Sequence, residues 1–173
     1  MTEAPQYPVG ALQVDEKEIL QRKDELISQI EQAPGLLRQT LQGLTEEQLN
    51  TKYKNWSIKQ IVNHLADSHV NSYVRFRWTL TEATPTIKAY DENLWSDLPD
   101  AKNGNLEPSL TMLDGIHQRW VRLLHSMTDE QFGKAFIHPD GRTITLTRAL
   151  GIYAWHCRHH TGQVLWLREN RFC

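Results

Sequence analysis

Two histidines four residues apart, His156 and His160, stand at the centre of an otherwise apolar helix face. At about 100° per residue, Leu146, Ala149, Ile152, Tyr153, Val164 and Leu167 fall within an arc of about 120° around them. The helix that carries them is expected from about Leu146 to Glu169. Any fold that buries this face buries both rings, and a buried imidazole is costly unless it finds a partner. The rings lie one turn apart and can converge on one point, where a divalent metal would satisfy both. Hydrogen-bonded core histidines are the competing reading.

The rest of the chain supplies more helices. A first one is expected from Asp15 to about Gln32, with Ile19, Leu26, Ile27 and Ile30 on its apolar face. Pro34 and Gly35 are expected to interrupt it, with a turn or two resuming between Leu36 and Leu44. A second helix is expected from Ser57 to about Ala83, with Ile58, Ile61, Val62, Leu65 and Tyr73 in its stripe, and a third from Glu107 to Met127. Residues 84–104 hold two prolines and no sustained period, so they read as a long loop, a class that is often functional. Between residues 135 and 145, Asp140-Gly141 suits a tight primed turn in a β-hairpin. Four long helices and one hairpin predict an all-α four-helix bundle, a single domain over 15–173 behind an N-terminal arm at 1–14. Residues 44–49 (LTEEQL) and 127–132 (MTDEQF) match in residue class, each ahead of a His-bearing helix. Related helical hairpins or merely similar caps would both produce that echo.

A catalytic zinc site uses three protein ligands and leaves a position open. His64 is the best third candidate by spacing, at the margin of the second helix's stripe, and His69 is its rival inside the stripe. Asp114-x-x-His117 on the third helix could supply ligands or orient one, although a hydrogen-bonded core role for His117 is the blander reading. His159 points about 80° away from the pair and could edge the pocket as a proton carrier. Cys157 reads as a small buried hydrophobe, and His125 and His138 as surface or turn residues. Trp155, Leu165 and Trp166 form a second apolar face on the last helix, suited to another helix or another subunit.

Composition excludes several classes. With 19 basic against 21 acidic residues the net charge is −2, so no nucleic-acid partner is expected. No apolar run approaches the ~20 residues that cross a bilayer. The first residues lack a basic region followed by an apolar one, so no secretory signal is expected. Two cysteines, Cys157 and Cys173, are too few for a disulfide framework and fit a reducing cytoplasm.

Residues 56–69 (WSIKQIVNHLADSH) resemble the first metal motif of the DinB-like superfamily, and residues 153–164 (YAWHCRHHTGQV) resemble the second. Residues 68–76 (SHVNSYVRF), 80–82 (LTE) and 85–95 (PTIKAYDENLW) are similar to its YfiT branch, the metal-dependent hydrolases that include bacillithiol transferases. The resemblance implies a DinB-like bundle, His64, His156 and His160 as ligands of one Zn²⁺ or Ni²⁺ per chain, and a homodimer. Gln163 stands where some close relatives have another His, and Ala89 where a Pro often precedes the Tyr.

Three neutral imidazoles leave a bound divalent ion its full charge and an open position, which lowers the pKa of a bound water or thiol. Water would make the chain a hydrolase acting on a small molecule. A low-molecular-weight thiol as co-substrate would make it a bacillithiol-type S-transferase. A closed site, with His69 as fourth ligand, would make it a non-catalytic metal-binding bundle. Glu82, Asp91 and Glu92 are candidate bases by motif. Arg75 could bind a carboxylate or pair with Glu82, so Arg75, Glu82 and His159 are the candidate catalytic residues.

Overall fold

The computed structural model describes residues 3–172, so Cys173 lies outside the described residues. Asp15 caps α1 (Glu16–Gln21) by accepting from the Lys17 and Glu18 N–H groups, and α2 (Lys23–Leu41) follows after a break at Arg22. Then come α3 (Glu46–Leu49), the two-residue strands β1 (Lys52–Tyr53) and β2 (Trp56–Ser57), and α4 (Ile58–Thr81). The next segment holds α5 (Glu92–Ser96) and α6 (Pro99–Asn103), followed by α7 (Glu107–Ser126) and α8 (Asp129–Phe132). Strands β3 (Ala135–Ile137) and β4 (Thr143–Thr145) lead into α9 (Leu146–Arg171). The expected bounds of the second, third and last helices are met within two residues.

Four long helices form the bundle. α2 packs against α7 and α9, and α4 packs against the same two. Sequence neighbours α2 and α4 therefore sit diagonally, as do α7 and α9. A capping box opens α4, with the Ser57 hydroxyl accepting from the Gln60 N–H and the Gln60 side chain accepting from the Ser57 N–H. Thr145 caps α9. Ile30, Phe76, Trp120, Phe132, Leu146 and Leu150 are fully buried between the helices.

Four expectations need correction. The proline at position 34 does not interrupt its helix: α2 runs through it to Leu41. Pro34 removes the N–H that would bond the Ile30 carbonyl, a loss that usually costs about 3 kcal/mol in a helix interior. Here that carbonyl, 2.6 Å from His117 Nδ1, has a side-chain donor instead. The 84–104 segment is not an open loop. α5 and α6 lie on α4, where Gln60 Nε2 donates to the Ser96 carbonyl (2.9 Å) and Asn63 Nδ2 to that of Ala101 (3.2 Å). The hairpin turn is wider than a two-residue primed turn. Pro139, with its fixed φ, enters a turn closed by the Gly141 N–H donating to the His138 carbonyl, and Gly141 alone takes positive φ, 87°. A second hairpin, β1–β2, turns at Lys54 (φ 54°); its strands are too short for alternation to reveal.

The N-terminal arm is part of the packing. The Trp155 indole N–H donates to the Gly10 carbonyl at 2.9 Å, and the Tyr53 hydroxyl donates to that of Pro5. Val9 Cγ1 and Pro8 rest where a Cβ on Gly162 would stand, 2.9 and 3.3 Å from it, so α9 needs glycine at this crossing. The second apolar face of α9 is thus covered largely by this chain itself: Trp155 by the arm, Trp166 by Tyr53.

Trp120 touches Phe76, His69, His117 and Tyr153 edge-on and is fully buried. Trp120→Ala is expected to lower unfolding free energy by about 3–5 kcal/mol. Urea denaturation reads this, and an unchanged midpoint would contradict the assigned core.

Candidate metal centre

α4 contributes His64, and α9 contributes His156 and His160. One nitrogen from each lies within 4.8 Å of the other two, a group able to hold a metal ion. The Nε2 atoms of His64 and His156 are 3.1 Å apart. Two nitrogens on a tetrahedral zinc at ~2.0–2.1 Å sit about 3.3 Å apart, so the spacing suits an ion between them. Burial depresses all three imidazole pKa values, His64 to about 4 with repulsion from His159 adding to it, and the other two well below their usual range. The rings are therefore neutral near pH 7, the form that ligates.

Two of the three rings have fixed partners behind them. His160 Nδ1 donates to Gln163 Oε1 at 2.8 Å, and Gln163 Nε2 donates to His159 Nε2 at 3.0 Å. Gln163 thus orients His160 with one end of its amide and His159 with the other. His156 Nδ1 lies 3.2 Å from His69 Nε2. The Trp56 ring packs on His64 at 4.6 Å between centroids.

The three imidazoles lie in the wall of a pocket of about 420 Å³, lined also by Ser68, Arg75, Tyr90, Glu92, Trp155 and His159. His159 stacks on Trp155 (4.4 Å, 14°) and edges the pocket, the location its helical angle suggested. Arg75 enters the pocket wall from α4. Its guanidinium donates long hydrogen bonds to Tyr153 Oη (3.4 Å) and the Lys88 carbonyl (3.3 Å), not to Glu82, and its buried Nε has no partner. Tyr90 is pushed up to about 12 by burial and remains a phenol.

The other sequence candidates divide between the pocket and positions away from it. Glu82 is exposed at the C-terminus of α4 and does not line the pocket. Asp91 caps α5, while its neighbour Glu92 faces the pocket. Asp114 does not orient His117; it is held by Arg38 at 2.7 Å. His69 and His117 form a separate buried group with Cys157, whose thiol burial pushes up to about 12. His138 is a turn residue, paired with Asp140 at 2.9 Å, yet it also reaches the pocket rim. Spacing gives no warning of Trp56, Tyr90 or His138 there, because each arrives from a hairpin or from the folded 84–104 segment.

Four long helices enclosing three converging histidines under a polar pocket define a class: helical bundles with a histidine-rich candidate metal centre. The chain belongs to the DinB superfamily, whose family model matches residues 29–164. It is 44% identical over 161 residues to YfiT of Bacillus subtilis, named as a candidate metal-dependent hydrolase, covering 91% of this chain and 90% of that one. A similarly named protein of Bacillus cereus is 43% identical over 166 residues, 95% of each chain. The solved structure of Bacillus subtilis YfiT, described as having an unusual four-helix bundle topology, matches with a TM-score of 0.90. It shares 43% identity, with 94% of this chain and 95% of that one covered.

The buried imidazoles make the metal-free fold sensitive to acid. Their folded pKa values lie below the usual 6.5, so the unfolded chain takes protons first as pH falls. Stability is complete above about pH 6.5 and is lost toward pH 4, with His64 alone contributing about 2 kcal/mol of loss at pH 5. Urea midpoints of chelator-treated protein should fall between pH 7 and pH 5. A flat profile would show that these rings are not buried neutral.

Proposed function

We propose that the chain is a metal-dependent hydrolase of a small-molecule substrate, with His64, His156 and His160 as the ligands of one divalent ion. The observation that carries this reading is the convergence of three neutral imidazole nitrogens on the wall of an open, polar pocket. The donor set fits: nitrogen ligands suit Zn²⁺ or Ni²⁺, and no fourth protein ligand closes the group among the described residues. When bound, such an ion supplies a Lewis acid that makes a water, or a small thiol, nucleophilic at neutral pH. The relatives named for metal-dependent hydrolysis support the same assignment.

The chain's own residues then divide the work. Gln163 holds His160 and His159 in place. Arg75, with a buried and unpartnered Nε, orients an anionic group of the substrate, and the Tyr90 phenol beside it offers a hydrogen-bond donor. Glu92 lines the pocket and is the group that can take up a proton from the attacking nucleophile, while His159, its Nε2 lone pair engaged by Gln163, shapes the pocket edge. Glu82, at the C-terminal cap of α4, is not among the residues that line the pocket. Among the described residues no helix is long and apolar enough to cross a membrane. A cytoplasmic homodimer is the assembly we propose, with the exposed Leu36 and Leu165 beside an apolar groove as support.

The purified protein should carry about one divalent metal per chain, and His160→Ala should lose it. Full occupancy in that variant, measured by elemental analysis, would overturn the ligand set. The same groups would also serve a thiol-dependent transferase. Metal-loaded protein is therefore to be assayed on electrophilic ester and epoxide substrates with and without bacillithiol. Turnover without thiol is expected; turnover that requires it would replace hydrolase by S-transferase.

A further inference from the structure

We propose that His69 and His117 are positioning residues. They belong to a hydrogen-bond relay that starts at the Ile30 carbonyl and forces His156 to present Nε2 to the metal. The relay draws one group from each bundle helix: Ile30 from α2, His117 from α7, His69 from α4 and His156 from α9. It rests on the ligand reading above and assigns a cause to one part of it.

The direction of the relay follows from its first member. Pro34 has no N–H, so the Ile30 carbonyl lacks its helical donor and is free for another. His117 Nδ1 lies 2.6 Å from it. A carbonyl oxygen only accepts, so His117 carries its proton on Nδ1. The ring is buried and neutral, which leaves a lone pair on Nε2. That atom lies 2.7 Å from His69 Nδ1, so His69 must donate from Nδ1 and keep its own lone pair on Nε2. His156 Nδ1, 3.2 Å away, must then donate to His69. The one remaining lone pair, on His156 Nε2, points at His64 across 3.1 Å. Reversing any one link sets two lone pairs or two N–H groups against each other, or charges a ring out of water.

The same residues do not make a second metal site. His69, His117 and Cys157 also bring ligand atoms within 4.8 Å. But the 2.7 Å between the two imidazoles is a hydrogen-bond length, shorter than the ~3.3 Å of two nitrogens on a tetrahedral ion. Both His69 nitrogens are engaged in hydrogen bonds, Nδ1 with His117 and Nε2 with His156.

The test uses the full chain, zinc as the metal and two readouts. Ring ¹⁵N NMR of metal-free protein should find His69, His117 and His156 all as Nδ1–H tautomers. Zinc affinity, measured against a chromophoric chelator, should fall about 10–100-fold in His117→Leu and His69→Leu. His117→Gln should stay close to wild type, because a glutamine amide can donate to the Ile30 carbonyl and accept from His69. A purely structural role would lower the unfolding midpoint of the leucine variants while leaving zinc affinity of the folded protein unchanged. That result, or an Nε2–H tautomer at any of the three rings, would overturn the relay. Wild-type protein that binds no zinc while its tautomers are as expected would overturn the ligand assignment and leave the relay standing.

Discussion

Neutral imidazoles held out of water are the constraint on which this structure depends. Each has two nitrogens, one a donor and one an acceptor, and burial leaves little water to serve either. The bundle meets the need by passing hydrogen bonds from helix to helix: the Ile30 carbonyl in α2, His117 in α7, His69 in α4, His156 in α9. Each link needs its donor and acceptor both within reach and aligned, so the chain of imidazoles adds a directional constraint on helix register to that of the close-packed core. Trp120 and Tyr153, packed edge-on around His69, keep this polar thread dry.

Much of this is legible in the sequence, and the exceptions have physical causes. His156 and His160 announce themselves because helix geometry alone places both in an apolar face. Their partner His64 sits at the edge of its own stripe, where spacing favours it over His69 without deciding between them, and family resemblance makes the choice firm. In space the two part company, His64 joining the α9 pair and His69 backing it from behind. Pro34 reads as a break because a proline's local cost is visible in sequence and its compensation is not. The donor that satisfies Ile30 lies 87 residues away. The 84–104 segment reads as a loop for a similar reason: its two short helices are held by Gln60 and Asn63 side chains on α4, partners that local propensity does not see.

The sequence echo at residues 44–49 and 127–132 marks a repeated unit. Each half runs long helix, capped turn, hairpin, long helix: α2, α3, β1–β2, α4, and then α7, α8, β3–β4, α9. Both short turns, α3 and α8, carry a complete capping box. The contacts obey the same exchange, since swapping α2 with α7 and α4 with α9 maps each packing pair among the four long helices onto another or onto itself. The histidines break this symmetry. The candidate ligands number one on α4 and two on α9, so the cluster lies toward α9, beside the interface between the second helices of the two halves.

That offset decides which parts of the chain can set specificity. On its inner side the cluster is closed by the bundle, where His69, His117 and Trp120 are each at most 2% exposed. A change there disturbs both packing and the orientation of His156. The outer side is built differently. Ala89, Tyr90 and Glu92 come from the 84–104 segment and His138 from the β3–β4 turn. These two pieces are joined by the Ile87 N–H donating to the Ile137 carbonyl (3.0 Å) and the Ile137 N–H to that of Pro85 (2.9 Å). They form a cover that contributes pocket surface but none of the three converging histidines. Substitutions in the cover can therefore alter which molecule reaches the centre while the three imidazoles stay in place, and substrate choice and metal binding are separable in this fold.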